Sequence, residues 1–66
     1  MEEGVIAELG ERGSGFIRRS FSKEQLFFHG DSLVNSSFAE LREGDPVRFE
    51  MTESKKGPYA TRVEKV

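Results

Sequence analysis

Apolar and polar residues alternate along much of this chain with the period of two that a half-buried strand requires. Pro46–Met51 is the cleanest case, with Val47, Phe49 and Met51 on one face and Arg48 and Glu50 on the other. Gln25–His29 is the most apolar segment; Leu26 and Phe28 point one way, Phe27 and His29 the other. Gly4–Leu9 is short, with Ile6 between Val5 and Ala7. Gly13–Arg19 opens on glycines and ends in β-favouring residues, and Tyr59–Val63 runs into a charged tail. These segments are five predicted strands. Gly10–Gly13, Ser20–Glu24, Gly30–Gly44 and Ser54–Pro58 read as turns or loops. Pro46 follows Gly44-Asp45 and can stand only at a strand start or on an edge, because it has no N–H for a ladder.

No segment carries a helical period. In Ser32–Glu43 the residues Leu33, Phe38 and Leu41 are apolar, but Asn35-Ser36-Ser37 favours turns. At most a helical turn forms around Asp31–Val34, with Asp31 as its cap. Five short strands predict an all-β fold, a closed or nearly closed antiparallel barrel, because closure removes the exposed edges of so small a sheet. The expected core is Ile6, Leu9, Ile17, Leu26, Phe28, Leu33, Leu41, Val47, Phe49, Met51 and Val63.

Composition narrows the function classes. A chain of 66 residues makes one small domain, expected to span 1–66, near the lower limit at which a core can hold a fold without staples. It has no cysteine and one histidine, so neither a disulfide nor a zinc module is expected. No apolar run approaches the ~18–20 residues of a membrane span, and no leader peptide is visible in residues 1–15, which hold Glu2, Glu3, Glu8 and Glu11. The expectation is a soluble, cytoplasmic monomer without cofactor. Enzyme chemistry finds no support, since the single histidine has no cysteine and no placed serine and aspartate beside it.

The net charge of -2 argues against a nucleic-acid partner until its distribution is considered. Residues 1–11 are acidic. Residues 12–23 are basic, with Arg12, Arg18, Arg19 and Lys23. Residues 24–53 are acidic again, and residues 54–66 carry Lys55, Lys56, Arg62 and Lys65 against Glu64. Two readings of this alternation stand: a solvated surface of mixed sign, or a fold that joins the two basic blocks in one patch.

The segment Arg12-Gly13-Ser14-Gly15-Phe16-Ile17 lies beside that charge. Alternation turns Ile17 inward and sets Arg12, Ser14 and Phe16 on the outer face, with the glycines leaving room for a flat ligand. Phe27 and His29 of the next strand share that face. Exposed aromatics in phase on neighbouring strands make a platform for unstacked bases, at about 1–3 kcal/mol per stacked base. Arg12 adds charge for phosphate or a guanidinium plane for stacking. His29 also brings a side chain whose ordinary titration falls near neutral pH.

Over essentially its whole length the sequence resembles the cold-shock domain family. Glu3-Gly4 opens the first strand as in the family, and Arg12–Ile17 resembles the first ribonucleoprotein motif, Lys-Gly-Phe-Gly-Phe-Ile. Leu26-Phe27-Phe28-His29 resembles the second, Val-Phe-Val-His-Phe. Ser36–Gly44, Val47–Glu50 and Lys56–Ala60 resemble the family's middle loop, fourth strand and Arg-Gly-Pro-x-Ala turn. RNA-recognition-motif domains share the short motifs but need two helices, whose signals are absent here. The resemblance implies a five-stranded oligonucleotide-binding-type (OB-fold) barrel that binds single-stranded RNA or DNA, with a preference for pyrimidine-rich strands. It also implies phosphate contact by Lys55 and Lys56 and a base contact for Phe38. Phe21 reads as a loop anchor, Tyr59 as a further contact, and Arg18 and Arg19 as a solvated strand end that adds to the field.

The departures bear on function. The family's first-strand tryptophan position is Glu8; the first motif's leading aromatic is Ser14; the aromatic after the histidine is Gly30. Three stacking positions are therefore gone and one is an acid. Two readings follow. One is a single-strand binder working through Arg12, Phe16, Phe27, His29, Phe38, Lys55, Lys56 and Tyr59. The other is a barrel with weak or no RNA binding, whose exposed phenylalanines dock a protein partner.

Overall fold

All five predicted strands form, and the computed structural model, which describes residues 1–66, lengthens three of them. They are β1 (Glu2–Leu9), β2 (Ser14–Arg19) and β3 (Gln25–His29), followed by a two-residue β4 (Leu33–Val34) that the sequence reading lacked. Strands β5 (Pro46–Ser54) and β6 (Gly57–Lys65) complete the set, and Pro46 does stand at a strand start. The strand order is β3-β2-β1-β5-β6, with β4 added beside β6. The long neighbours pair antiparallel, and the barrel closes where β3 meets β6 in parallel at Phe27 and Tyr59.

Closure of strands this short needs sharp bends, and two bulges supply them. In β1, Ile6 faces Ile17 but Glu8 faces Phe16, so Ala7 is the extra residue. In β6, Glu64 faces Arg48 but Thr61 faces Glu50, so Arg62 and Val63 together oppose Phe49. Arg62 takes φ 49°, a left-handed backbone that an arginine adopts only under tertiary compulsion. Each bulge shifts the inward phase by one residue. Ala60 and Val63, an odd number apart, both reach the interior.

Nine residues form the core: Ile6, Ile17, Leu26, Phe28, Leu41, Val47, Phe49, Ala60 and Val63. Leu9 and Leu33 pack against it half buried. Met51, expected inside, is 39% exposed. The last β1 partner of β5 is Phe49, opposite Glu2, so beyond it β5 has β6 on one side only and Met51 lies past the sealed layer. Ala60 joins the core unannounced, because the bulge at Arg62 sets its phase.

The long loop holds two 3₁₀ turns rather than one helical turn. The first is Gly30–Ser32, and its cap is His29, whose side chain accepts from the Asp31 N–H, not Asp31 as expected. The second, Phe38–Glu40, is held by Ser37 and Glu40 in a reciprocal capping box. The loop then turns at Gly44 (φ 93°), where Asp45 accepts from Arg42 N–H at 2.9 Å and the Gly44 N–H donates to the Ile6 carbonyl at 2.7 Å.

Gly15 serves the fold and not a ligand. It is buried, and a methyl there would overlap the Glu8 carbonyl oxygen and reach the Phe28 ring at 3.0 Å. Gly15→Ala is therefore expected to destabilise by about 1–3 kcal/mol through overpacking. Urea unfolding checks this, and an unchanged midpoint would contradict the close β1–β2 approach.

Candidate functional site

The pairing registers assemble one lateral row on the outer surface. Glu8 of β1 faces Phe16 of β2, Phe16 faces Phe27 of β3, and Phe27 faces Tyr59 of β6. Three aromatic rings thus stand side by side across the barrel seam. Phe16 is 37% and Phe27 44% exposed, while Tyr59 is half buried. The Phe16 and Phe27 rings meet edge to face, with centroids 5.9 Å apart and planes at 73°. Two rings so inclined cannot share the two faces of one flat plane. They offer a corner in which a planar group stacks on one ring and abuts the other.

Beside the row lies a cleft of about 410 Å³ lined by Phe27, Ser54, Lys56, Gly57, Pro58 and Tyr59. The β5–β6 turn builds its rim. The Ser54 hydroxyl donates to the Gly57 carbonyl at 2.6 Å and accepts from the Lys56 N–H at 3.2 Å, and Gly57 takes φ 114°. Lys55 and Lys56 form the tip, exposed and without ion pairs. Ser54 and Pro58 read from the sequence as turn residues and not as part of the site; only a residue-by-residue register would have placed them there.

One step along the strands, Ser14 faces His29. The His29 ring is exposed, but its Nδ1 already accepts from the Asp31 N–H at 3.1 Å and lies 3.5 Å from the Asp31 carboxylate. The neutral ring so held carries its proton on Nε2, a free donor at the edge of the row. Arg12 is exposed in the β1–β2 turn, before β2 begins, and so is not on the strand face as expected. Phe38 turns towards the core: its ring lies 6.3 Å from Phe28, and it packs beside Gly30, where a side chain would meet the Gly13 carbonyl oxygen. One half remains exposed. Phe21, expected to anchor its loop, is 101% exposed and anchors nothing.

The two basic blocks do not fuse in one patch. Much of their charge is consumed locally. The Arg19 guanidinium binds Glu2, with Nε donating at 2.8 Å, and reaches Glu24 at 3.3 Å. Its hold on its proton is raised above the ordinary value, first by the Glu2 hydrogen bond, against desolvation, and then by the charges of Glu2 and Glu24. Arg62 pairs with Glu50 at 3.7 Å and Lys65 with Asp45 at 3.4 Å. Arg48 stands between Glu3 and Glu64 on its two neighbouring strands. Besides Arg48, the arginines and lysines without ion pairs are Arg12, Arg18, Lys23, Arg42, Lys55 and Lys56, and three of them lie near the aromatic row. Arg12 lies at its His29 end, while Lys55 and Lys56 lie by the Phe27–Tyr59 cleft.

No three His, Asp or Glu side chains converge on a point that could hold a metal ion, and no helix is long and apolar enough to cross a membrane. Residues 2–66 match the family model described as "'Cold-shock' DNA-binding domain". The probable cold shock protein A of Mycolicibacterium smegmatis is 38% identical over 64 residues, which is 96% of each chain. The cold shock-like protein CspE of Buchnera aphidicola is 38% identical over 52 residues, 79% of this chain and 75% of its own. The solved structure of drosophila Unr CSD456 superposes with a TM-score of 0.83 at 32% identity, covering 98% of this chain and 26% of that longer one.

The position of Phe38 separates folding from surface roles. Phe38→Ala is expected to lower stability by about 2 kcal/mol, having stripped one side of a half-buried ring from Phe28. Phe27→Ala should cost no more than its ring pair with Phe16, about 0.5–1.5 kcal/mol. Thermal melts of the two variants side by side test this ordering.

Proposed function

This chain belongs to the cold-shock DNA-binding domain family, and from that premise we propose that it binds a short single strand of RNA or DNA across β1, β2, β3 and β6. It is a binding module, not an enzyme. The observation that carries the reading is the Phe16–Phe27–Tyr59 row, three aromatic side chains in cross-strand register on an outer surface. Stacking on such a row is sequence-tolerant, because every base offers a π face. In this reading successive bases lie on Phe16 and Phe27 and in the Tyr59 cleft. His29 donates from Nε2, and the exposed half of Phe38 closes the far end. Arg12, Lys55 and Lys56 contact phosphates. A monomer working in the cytoplasm as an RNA chaperone, or as a regulator of transcription or translation, is the role that fits.

The second reading, a protein-docking barrel, draws on Glu8 and Gly30, where two stacking aromatics are missing. Salt separates the two, because only phosphate contact releases counterions. Fluorescent hexathymidine and its RNA counterpart, titrated at several salt concentrations, should bind with a log K against log salt slope of about -2, as three phosphate contacts to a single strand require. Phe27→Ala should weaken binding about 5- to 150-fold, the loss of one stacked base, while leaving the domain folded. Absence of binding by a folded sample would favour the protein-docking reading. Unchanged affinity in Phe27→Ala would remove the stacking row from the account.

A further inference from the structure

Glu8 is the anomaly in the row. A surface meant for a polyanion carries a carboxylate in direct register with a stacking ring. The acid is exposed and takes part in none of the ion pairs that occupy Glu2, Glu24, Glu50 and Asp45. Its outward direction is also built, not incidental. Counting by twos from inward Ile6 would turn residue 8 into the barrel; the bulge at Ala7 brings Glu8 out opposite Phe16. Cross-strand neighbours on one face have Cβ atoms about 4.5–5.5 Å apart. A carboxylate on a three-bond stem at that distance reaches the edge of a base stacked on the Phe16 ring.

We propose that Glu8 reads the hydrogen-bonding edge of the base stacked on Phe16 and selects guanine there. The chemistry is that of donor and acceptor count. An ionised carboxylate only accepts. Guanine offers it two parallel donors on its Watson–Crick edge, N1–H and the N2 amino group, which match the two carboxylate oxygens. Cytosine and adenine each present one amino group next to a ring-nitrogen acceptor. Thymine and uracil present one N–H between two carbonyl oxygens, both of which the carboxylate repels. The acid therefore trades a sequence-tolerant stacking surface for a discriminating contact, and its preference opposes the pyrimidine preference that the family resemblance implies. A charge-assisted bidentate contact discriminates by about tenfold or more against the wrong base.

This inference rests on the single-strand reading above, and its test keeps the two apart. Fluorescent hexamers of thymidine, the same hexamer with one central guanosine, and the same with inosine, which lacks the N2 amino group, are titrated against the wild-type chain, Glu8→Gln and Glu11→Gln. In the wild type the guanosine hexamer should bind about tenfold tighter than hexathymidine, with inosine between them. Glu8→Gln should tighten hexathymidine and shrink the guanosine advantage to about twofold, because the glutamine amide offers one acceptor only. Glu11→Gln removes the same charge from the neighbouring exposed turn and should leave the ratio unchanged. A loss of general repulsion would raise all hexamers alike and keep the ratio, so a fall in the ratio identifies base reading. Equal wild-type affinities for guanosine and thymidine hexamers, or a ratio that survives Glu8→Gln, would overturn the Glu8 assignment and leave the single-strand function standing. No binding of any hexamer by folded protein would overturn both.

Discussion

Nine buried side chains, all apolar, must hold this chain without a disulfide, and they can do so only if the sheet around them closes. Closure happens at one register pair, where Phe27 of β3 meets Tyr59 of β6 in parallel. Two bulges make that meeting geometrically possible, one in β1 at Ala7 and one in β6 at Arg62 and Val63. Strands without them would splay, Ala60 and Val63 could not both face inward, and β6 would not reach β3. The left-handed backbone of Arg62 is a local cost that the sealed core offsets.

The same closure makes the aromatic surface. The residues that meet at the seam carry aromatic side chains outward, so the barrel's weakest joint and its aromatic row coincide. Pairing Phe27 with Tyr59 completes a row that begins on Phe16, and the Lys55-Lys56 turn arrives beside it because β5 and β6 extend past the sealed layer. Glycines that could be taken for ligand clearance serve this architecture instead. Gly15 admits the Glu8 carbonyl and the Phe28 ring, and Gly30 admits the Gly13 carbonyl. The ring of Phe38 packs against the core from the loop and stays partly exposed.

Charge follows a similar division. The net charge of -2 conceals a surface on which acids neutralise the cations that are not needed. Arg19, Arg62 and Lys65 are paired and Arg48 is flanked by Glu3 and Glu64, while Arg12, Lys55 and Lys56 near the aromatic row, and Arg18, Lys23 and Arg42, have no ion pair. Exposed ion pairs contribute little to stability. Their larger consequence here is to withdraw Arg19, Arg62 and Lys65 from the free positive charge, while Glu8 is the acidic member of the row.

How much of this was legible beforehand depends on the range of the interaction concerned. Strand identities, the inward Leu26 and Phe28, the outward Phe16 and Phe27, and the strand-start proline follow from alternation and turn chemistry, which act between near neighbours in the chain. The motif order and spacing carried the family and the barrel. Met51 and Ala60 differ from expectation because their burial depends on where β5 leaves β1 and where β6 bulges, events set by pairing between strands and not by near neighbours in the chain. The partnering of Tyr59 with Phe27 and the loss of Arg19 to Glu2 lay equally out of reach, since no local pattern encodes them. The sequence by itself determined which residues are apolar, which turn and which carry charge, because those are properties of single side chains and their near neighbours. Only the tertiary structure decided which of them face one another, because register and bulge position are settled by sealing the core as a whole.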